Sequence, residues 1–257
     1  MQKRRALAPG ETGSYAFSMF GFLANPARFM AFSRWLAPVL GAVAAALLAI
    51  GLWLSFSAPD DYQQFATVRI MFIHVPAAFM ASLVYVCLAA ASLIGLVFRH
   101  SLADAGAKAA APLGAAFTAL ALATGSLWGK PTWGTWWAWD ARMTSVLVLF
   151  LLYLGYMALH AAIDDEQKAA RAAAILALVG AINLPIVKFS VDWWNTLHQG
   201  ESLFRKGGAA MPPVYLWPLG VMAFAYLFLF GSLWLVRIRA EVWKRRANSA
   251  ALKAAYQ

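Results

Sequence analysis

Between Trp128 and Arg142 the chain reads WGKPTWGTWWAWDAR, which places five of its 12 tryptophans within fifteen residues and interrupts them with Gly129, Pro131 and Gly134. Indoles are flat and rigid, bury a large apolar area at low entropic cost, and stack face to face or edge to face. Glycine and proline break a helix and let backbone approach a ligand closely. With helix from Thr132 onward, Trp133, Trp136, Trp137 and Asp140 follow i, i+3, i+4, i+7 spacing, and Trp136, Trp139 and Arg142 form an adjacent stripe. The spacing predicts a surface helix with one indole-covered face, suited to a large planar apolar ligand; a porphyrin is one.

Such a surface needs a support. The chain is 257 residues long, 62% hydrophobic and 12% charged, with a mean hydropathy of +0.64, too apolar for a soluble domain. A hydrocarbon core about 30 Å thick takes roughly 20 apolar residues to cross as helix. Stretches without Asp, Glu, Lys or Arg place six spans, at about 35–56, 70–98, 109–128, 143–161, 172–188 and 213–236. The fold class expected is all-α: one polytopic membrane domain over 1–257 whose Trp-rich segment, 128–142, lies on the surface. An unpaired peptide group in lipid is costly, so each span is read as helix. The first is read as a retained signal anchor, because its apolar run exceeds the core of a signal peptide. Residues 15–32 are expected to form an interfacial helix before it.

Lys and Arg accumulate on the cytoplasmic side. Six spans with both termini inside leave only Arg69, Lys130, Arg142, Lys188, Arg205 and Lys206 outside, and the other 15 of the 21 inside. Omitting the short fifth span gives 12 inside against 9 outside, a weaker asymmetry. The net charge of +10 is thereby an orientation signal and not a nucleic-acid surface. Nine tryptophans, from Trp53 to Trp217, fall at or beyond the outer boundary. An interfacial aromatic belt accounts for Trp53 and Trp217, but not for the density at 128–142.

The same topology sorts the four histidines. His100 and His160 sit at inner helix ends and read as interfacial. His74, in VRIMFIHVPAAF, and His198, in DWWNTLHQGE, face the tryptophan segment. Either alone could be a hydrogen-bonded membrane histidine; as a pair beside a planar platform they are candidate axial ligands of a heme iron. Zinc is a rival, but no further ligand stands near them at metal-site spacing. The sole cysteine, Cys87, lies within an apolar run, so there is no CxxCH attachment and any heme is non-covalent, of the b type. Arg69 and Arg142 stand at the level where two propionates would need cations; individually they also read as interfacial anchors. No catalytic nucleophile or acid–base group emerges. A membrane electron-transfer subunit carrying b-type heme is the alternative, although such proteins usually ligate heme deeper in the bilayer.

Three segments, WGKPTWGTWWAWDARMTS (128–145), DYQQFATVRIMFIHVPAA (61–78) and FSVDWWNTLHQGES (189–202), resemble the WWD-domain family of heme-handling proteins, and within it the CcmC family of cytochrome c maturation. The likeness runs from about residue 25 to 237. It implies a multi-pass protein of the bacterial inner membrane, termini cytoplasmic, that holds heme on the periplasmic face and presents it to the chaperone CcmE, with CcmA, CcmB and CcmD as further partners beside membrane lipid. His74 and His198 match the family's axial histidines and Arg69 and Arg142 its propionate partners. Trp128, Trp133, Trp136, Trp137, Trp139 and Asp140 lie in its heme-binding motif.

Overall fold

The computed structural model describes residues 25–198 and 211–255, and every regular element named here is helical. In chain order these are α1 (Pro26–Ser57), a 3-10 turn (Ala66–Ile70), α2 (Met71–Phe98), α3 (Ser101–Trp133), α4 (Ala141–Ala162), α5 (Glu166–Gly180), α6 (Asn183–Trp193) and α7 (Pro213–Ala255). Taking α5 and α6 as one interrupted element, six are long and apolar enough to cross a membrane. Phe56, Val39, Phe79, Val97, Leu151 and Phe224 project outward from four of these helices, as a lipid solvent requires and water would penalise.

The helices outrun their apolar runs because local capping sets their ends. Asn25 caps α1, its side-chain oxygen accepting from the amides of Ala27 (2.9 Å) and Arg28 (3.4 Å), with Pro26 in the first turn. From Pro26 the chain is already part of α1, so 26–32 continues the first span and is not a separate interfacial helix; residues 15–24 lie outside the described residues. Arg99, at φ 50°, closes α2, and the His100 ring accepts from Ala103 N at 3.2 Å to start α3. Asp165 caps α5 through Gln167 N and Lys168 N, and these bonds to the charged form hold its carboxyl below the usual range.

The short fifth span is a broken helix. Pro185 lacks an amide hydrogen, and its ring conflicts with the carbonyl four residues back, at Ala181; the break falls at Ala181 and Ile182. Asn183 Nδ2 bridges the break to Ser145 O on α4 (2.8 Å). At the end of this span Arg142 donates to Lys188 O (3.1 Å), while Tyr215 at the start of α7 donates to Pro59 O (3.4 Å) after α1. Both tie the tryptophan end together. At the other end Lys108 pairs with Glu241 (2.9 Å) and Arg245 donates to Ser101 O (3.1 Å).

Within the bundle α2 packs along α3 and α1 along α7. Lipid tails give no hydrophobic drive for this, so close contact decides it. One face of α3, including Ala107, Ala110, Ala111 and Gly114, is buried, and Tyr153 from α4 lies against Gly114 where a side chain would otherwise stand. The Tyr153 hydroxyl reaches across to Ala81 O on α2 (2.8 Å). Replacing Gly114 by Val therefore drives a branched side chain into this ring. We expect a loss of about 1–3 kcal/mol, read as an earlier unfolding midpoint in mixed micelles of increasing denaturing detergent; an unchanged midpoint would contradict the packing.

Candidate functional site

The tryptophan segment is not the continuous helix that its spacing predicts. α3 runs through Trp133 and stops at Gly134, whose φ of 77° is left-handed and whose amide closes the last turn on Lys130 O (3.0 Å). Lys130 Nζ adds a bond to Gly134 O (3.0 Å). Residues 135–140 are irregular, held by Thr135 Oγ1, which donates to Trp137 O (2.8 Å) and accepts from Trp137 N (3.3 Å). Asp140 then begins α4 by accepting from Met143 N (2.7 Å). The indoles are thus divided between a helix end and a loop. Trp136 and Trp139 are exposed, Trp128, Trp133 and Trp137 half-buried. Trp137 and Trp139 meet edge to face at 5.5 Å, and the Trp137 indole nitrogen is buried without a partner among the described residues.

His74 and His198 are each packed against a tryptophan of α3. On α2, the His74 ring lies 5.7 Å from Trp128 at 67°, and its Nδ1 is 3.0 Å from Ala121 O and 3.2 Å from Thr124 Oγ1. A carbonyl only accepts, so Nδ1 carries the hydrogen and Nε2 the lone pair. Gly125 makes room: a Cβ there would stand 2.9 Å from His74 Cε1. Trp128 is itself fixed by an indole hydrogen bond to Gln64 Oε1 (2.9 Å).

His198, in the loop after α6, lies 4.9 Å from Trp133. Its Nδ1 faces Asp140 Oδ2 at 3.3 Å, and the same oxygen accepts from Leu197 N (3.2 Å). Here too the acceptor takes the Nδ1 hydrogen and leaves Nε2 free to donate electrons. This is the second-sphere arrangement by which carboxylates and carbonyls orient metal-binding imidazoles. Asp140 thereby positions a histidine while also capping α4.

The arginines are differently disposed. Arg142 stands close enough to His198 for its charge to disfavour the imidazolium and donates to Lys188 O. Arg69 is fixed within the 58–69 loop, paired with Asp60 (2.9 Å) and bonded to Ala58 O (3.0 Å). His100 caps α3, and His160 packs on Tyr156 at 5.1 Å, at the opposite end from the tryptophan segment. Thr124, Gly125 and Gln64 are site residues that spacing alone did not single out, although Gly125 and Gly129, one turn apart, mark a helix face open to close approach.

Burial holds the His198 imidazole below its usual 6.5, the Asp140 charge and hydrogen bond oppose that, and Arg142 adds to it. The neutral ring is the folded form, so docking of this loop is complete above the usual value and weakens as pH falls below it. Replacing Asp140 by Asn removes the negative charge that favours the cation. We expect the His198 resonance in histidine-labelled protein to titrate at a still lower pH; an unchanged or higher midpoint would remove Asp140 from this role.

The sequence matches the family model of heme exporter protein C, CcmC, over residues 19–253. Heme exporter protein C of Bradyrhizobium diazoefficiens is 61% identical, over 88% of this chain and 86% of that protein. The proteins of the same name from Paracoccus denitrificans and Escherichia coli K12 are each 46% identical, over 87% and 84% of this chain and 93% and 88% of their own lengths. A six-span bundle carrying the tryptophan motif and a match over nearly its whole length make this chain a member of the heme exporter protein C family.

Proposed function

We propose that the protein holds heme as cargo at the tryptophan end of the bundle and presents it for cytochrome c maturation. The observation that carries this is the shared disposition of His74 and His198: each has Nδ1 engaged by an oxygen acceptor, so each offers Nε2, and the exposed indoles of Trp136 and Trp139 lie on the segment beside them. The chemistry fits the group. Two neutral imidazoles suit a six-coordinate iron, indole faces suit the ring, and the unpartnered Trp137 N–H and the cation of Arg142 suit a carboxylate edge. Arg69 reaches that edge only with donors beyond those held by Asp60 and Ala58. The names of the relatives support the same reading.

In this scheme the chain breaks no bond. Its residues fix the cargo by ligation and stacking, non-covalently as heme b, and orientation is their contribution. The polar loops that carry them lie at the end poor in Lys and Arg, and this bias supports a site on the periplasmic face of the inner membrane with both termini in the cytoplasm. An acceptor must approach from that aqueous side, and we assign this part to the chaperone CcmE, with CcmA, CcmB and CcmD completing the assembly.

The test is the absorption spectrum of the purified protein loaded with heme. We expect a low-spin, six-coordinate oxidised spectrum that His74→Ala and His198→Ala each convert toward high spin with loss of affinity. Asp140→Ala should weaken binding about 10–100-fold, as outer-sphere partners of metal ligands do. Identical spectra in wild type and both histidine variants would exclude the ligation.

A further inference from the structure

At the end opposite the tryptophans, α7 continues far past the apolar run. Its 43 residues span about 64 Å at 1.5 Å per residue, roughly twice the hydrocarbon thickness. Beyond Val236 it carries Arg237, Arg239, Lys244, Arg245, Arg246 and Lys253 against one acidic residue, Glu241. The distribution is not uniform around the helix. Val242, Arg245, Arg246, Ser249 and Lys253 follow i, i+3, i+4, i+7, i+11 and share one face. That face lines a cavity of about 410 Å³ closed on the other side by Pro26, Ser101 and Leu102.

Its walls have two characters. Leu102, Ala105 and Val242 form an apolar floor, while three cations stand along one side. Arg245 is set in place by Glu241 Oε1 (3.1 Å) and Ser101 O (3.1 Å). Glu241 is shared with Lys108 (2.9 Å) and the Asp104 carboxylate also lies close enough to Arg245 for their charges to interact, so the unbalanced positive charge of the cleft comes from Arg246 and Lys253. Arg246 and Lys253 are exposed. Arg246 lies 5.5 Å from the exposed Trp243 ring, and an exposed indole beside an arginine marks the headgroup level of a bilayer.

We propose that this cleft seats the headgroup of an anionic phospholipid of the adjoining leaflet, its phosphate against Arg245, Arg246 and Lys253 and its glycerol and first methylenes over Leu102 and Val242. An apolar floor beside the cations favours a lipid over a free anion, and the charge favours an anionic lipid over a zwitterionic one. Basic pockets between spanning helices bind such headgroups.

The full-length protein in neutral detergent is mixed with phosphatidylglycerol or phosphatidylcholine, and retained lipid is counted by native mass spectrometry. We expect phosphatidylglycerol to be held preferentially, and Arg246→Gln with Lys253→Gln to weaken it about 25-fold, roughly fivefold per cation. The pair Arg237→Gln with Lys244→Gln removes the same charge from positions outside the cavity lining and should leave retention unchanged. Equal retention of the two lipids would overturn the proposal, as would equal losses in the two double variants. Displacement of the lipid by an equimolar amount of inorganic phosphate would assign the cleft to a free anion and overturn it as well.

Discussion

Hydrocarbon offers a peptide group no hydrogen-bond partner, and that single fact orders the molecule. Irregular backbone collects beyond the ends of the bundle: the 58–65 loop, residues 134–140, and the stretch leading to His198. Loops supply the bends that let side chains from distant segments converge, so the only region able to assemble a varied polar site is the one the bilayer has displaced to its surface. The exception proves instructive. The break at Ala181 and Ile182 lies within a span, and there a side chain, Asn183, is bonded to a carbonyl of the neighbouring helix.

Asp140 is where this architecture meets its chemistry. One carboxylate oxygen begins α4 and the other holds the Leu197 amide and the His198 ring. The start of a spanning helix and the placement of a loop histidine therefore share one residue. On the other side of the site, His74 takes its orientation from Ala121 and Thr124, backbone and side chain of α3. Both histidines are thus referred to the same stretch of chain, the end of α3 and its continuation into α4, although they come from α2 and from the far loop.

Much of this is legible in the sequence because the bilayer imposes length and charge rules. Six apolar runs and the bias of Lys and Arg define the crossings, and the marginal fifth run is a crossing interrupted by Pro185. The helix that spacing predicts through Trp136, Trp137 and Asp140 is absent because side-chain spacing reports a face only if the backbone is continuous. Gly134 and Asp140 carry the opposite message, a left-handed stop and an acidic start, and they decide the local fold. The partners of the two histidine Nδ1 atoms lie 47 and 58 residues away; no local pattern encodes such pairs. The cationic character of Arg69 and Arg142 is legible, but their hydrogen bonds to Ala58 and Lys188 arise only when the loops fold.

His74 and His198 differ in what must move to displace them. His74 is carried by α2, packed along α3, with Gly125 directly beneath its ring. His198 belongs to a loop, and a carboxylate contact of 3.3 Å and the Trp133 ring hold it. One histidine is therefore fixed by helix packing and the other by side-chain contacts. For the proposed cargo this asymmetry would favour exchange from the side of the loop contact, where fewer packed groups have to part than along α2 and α3.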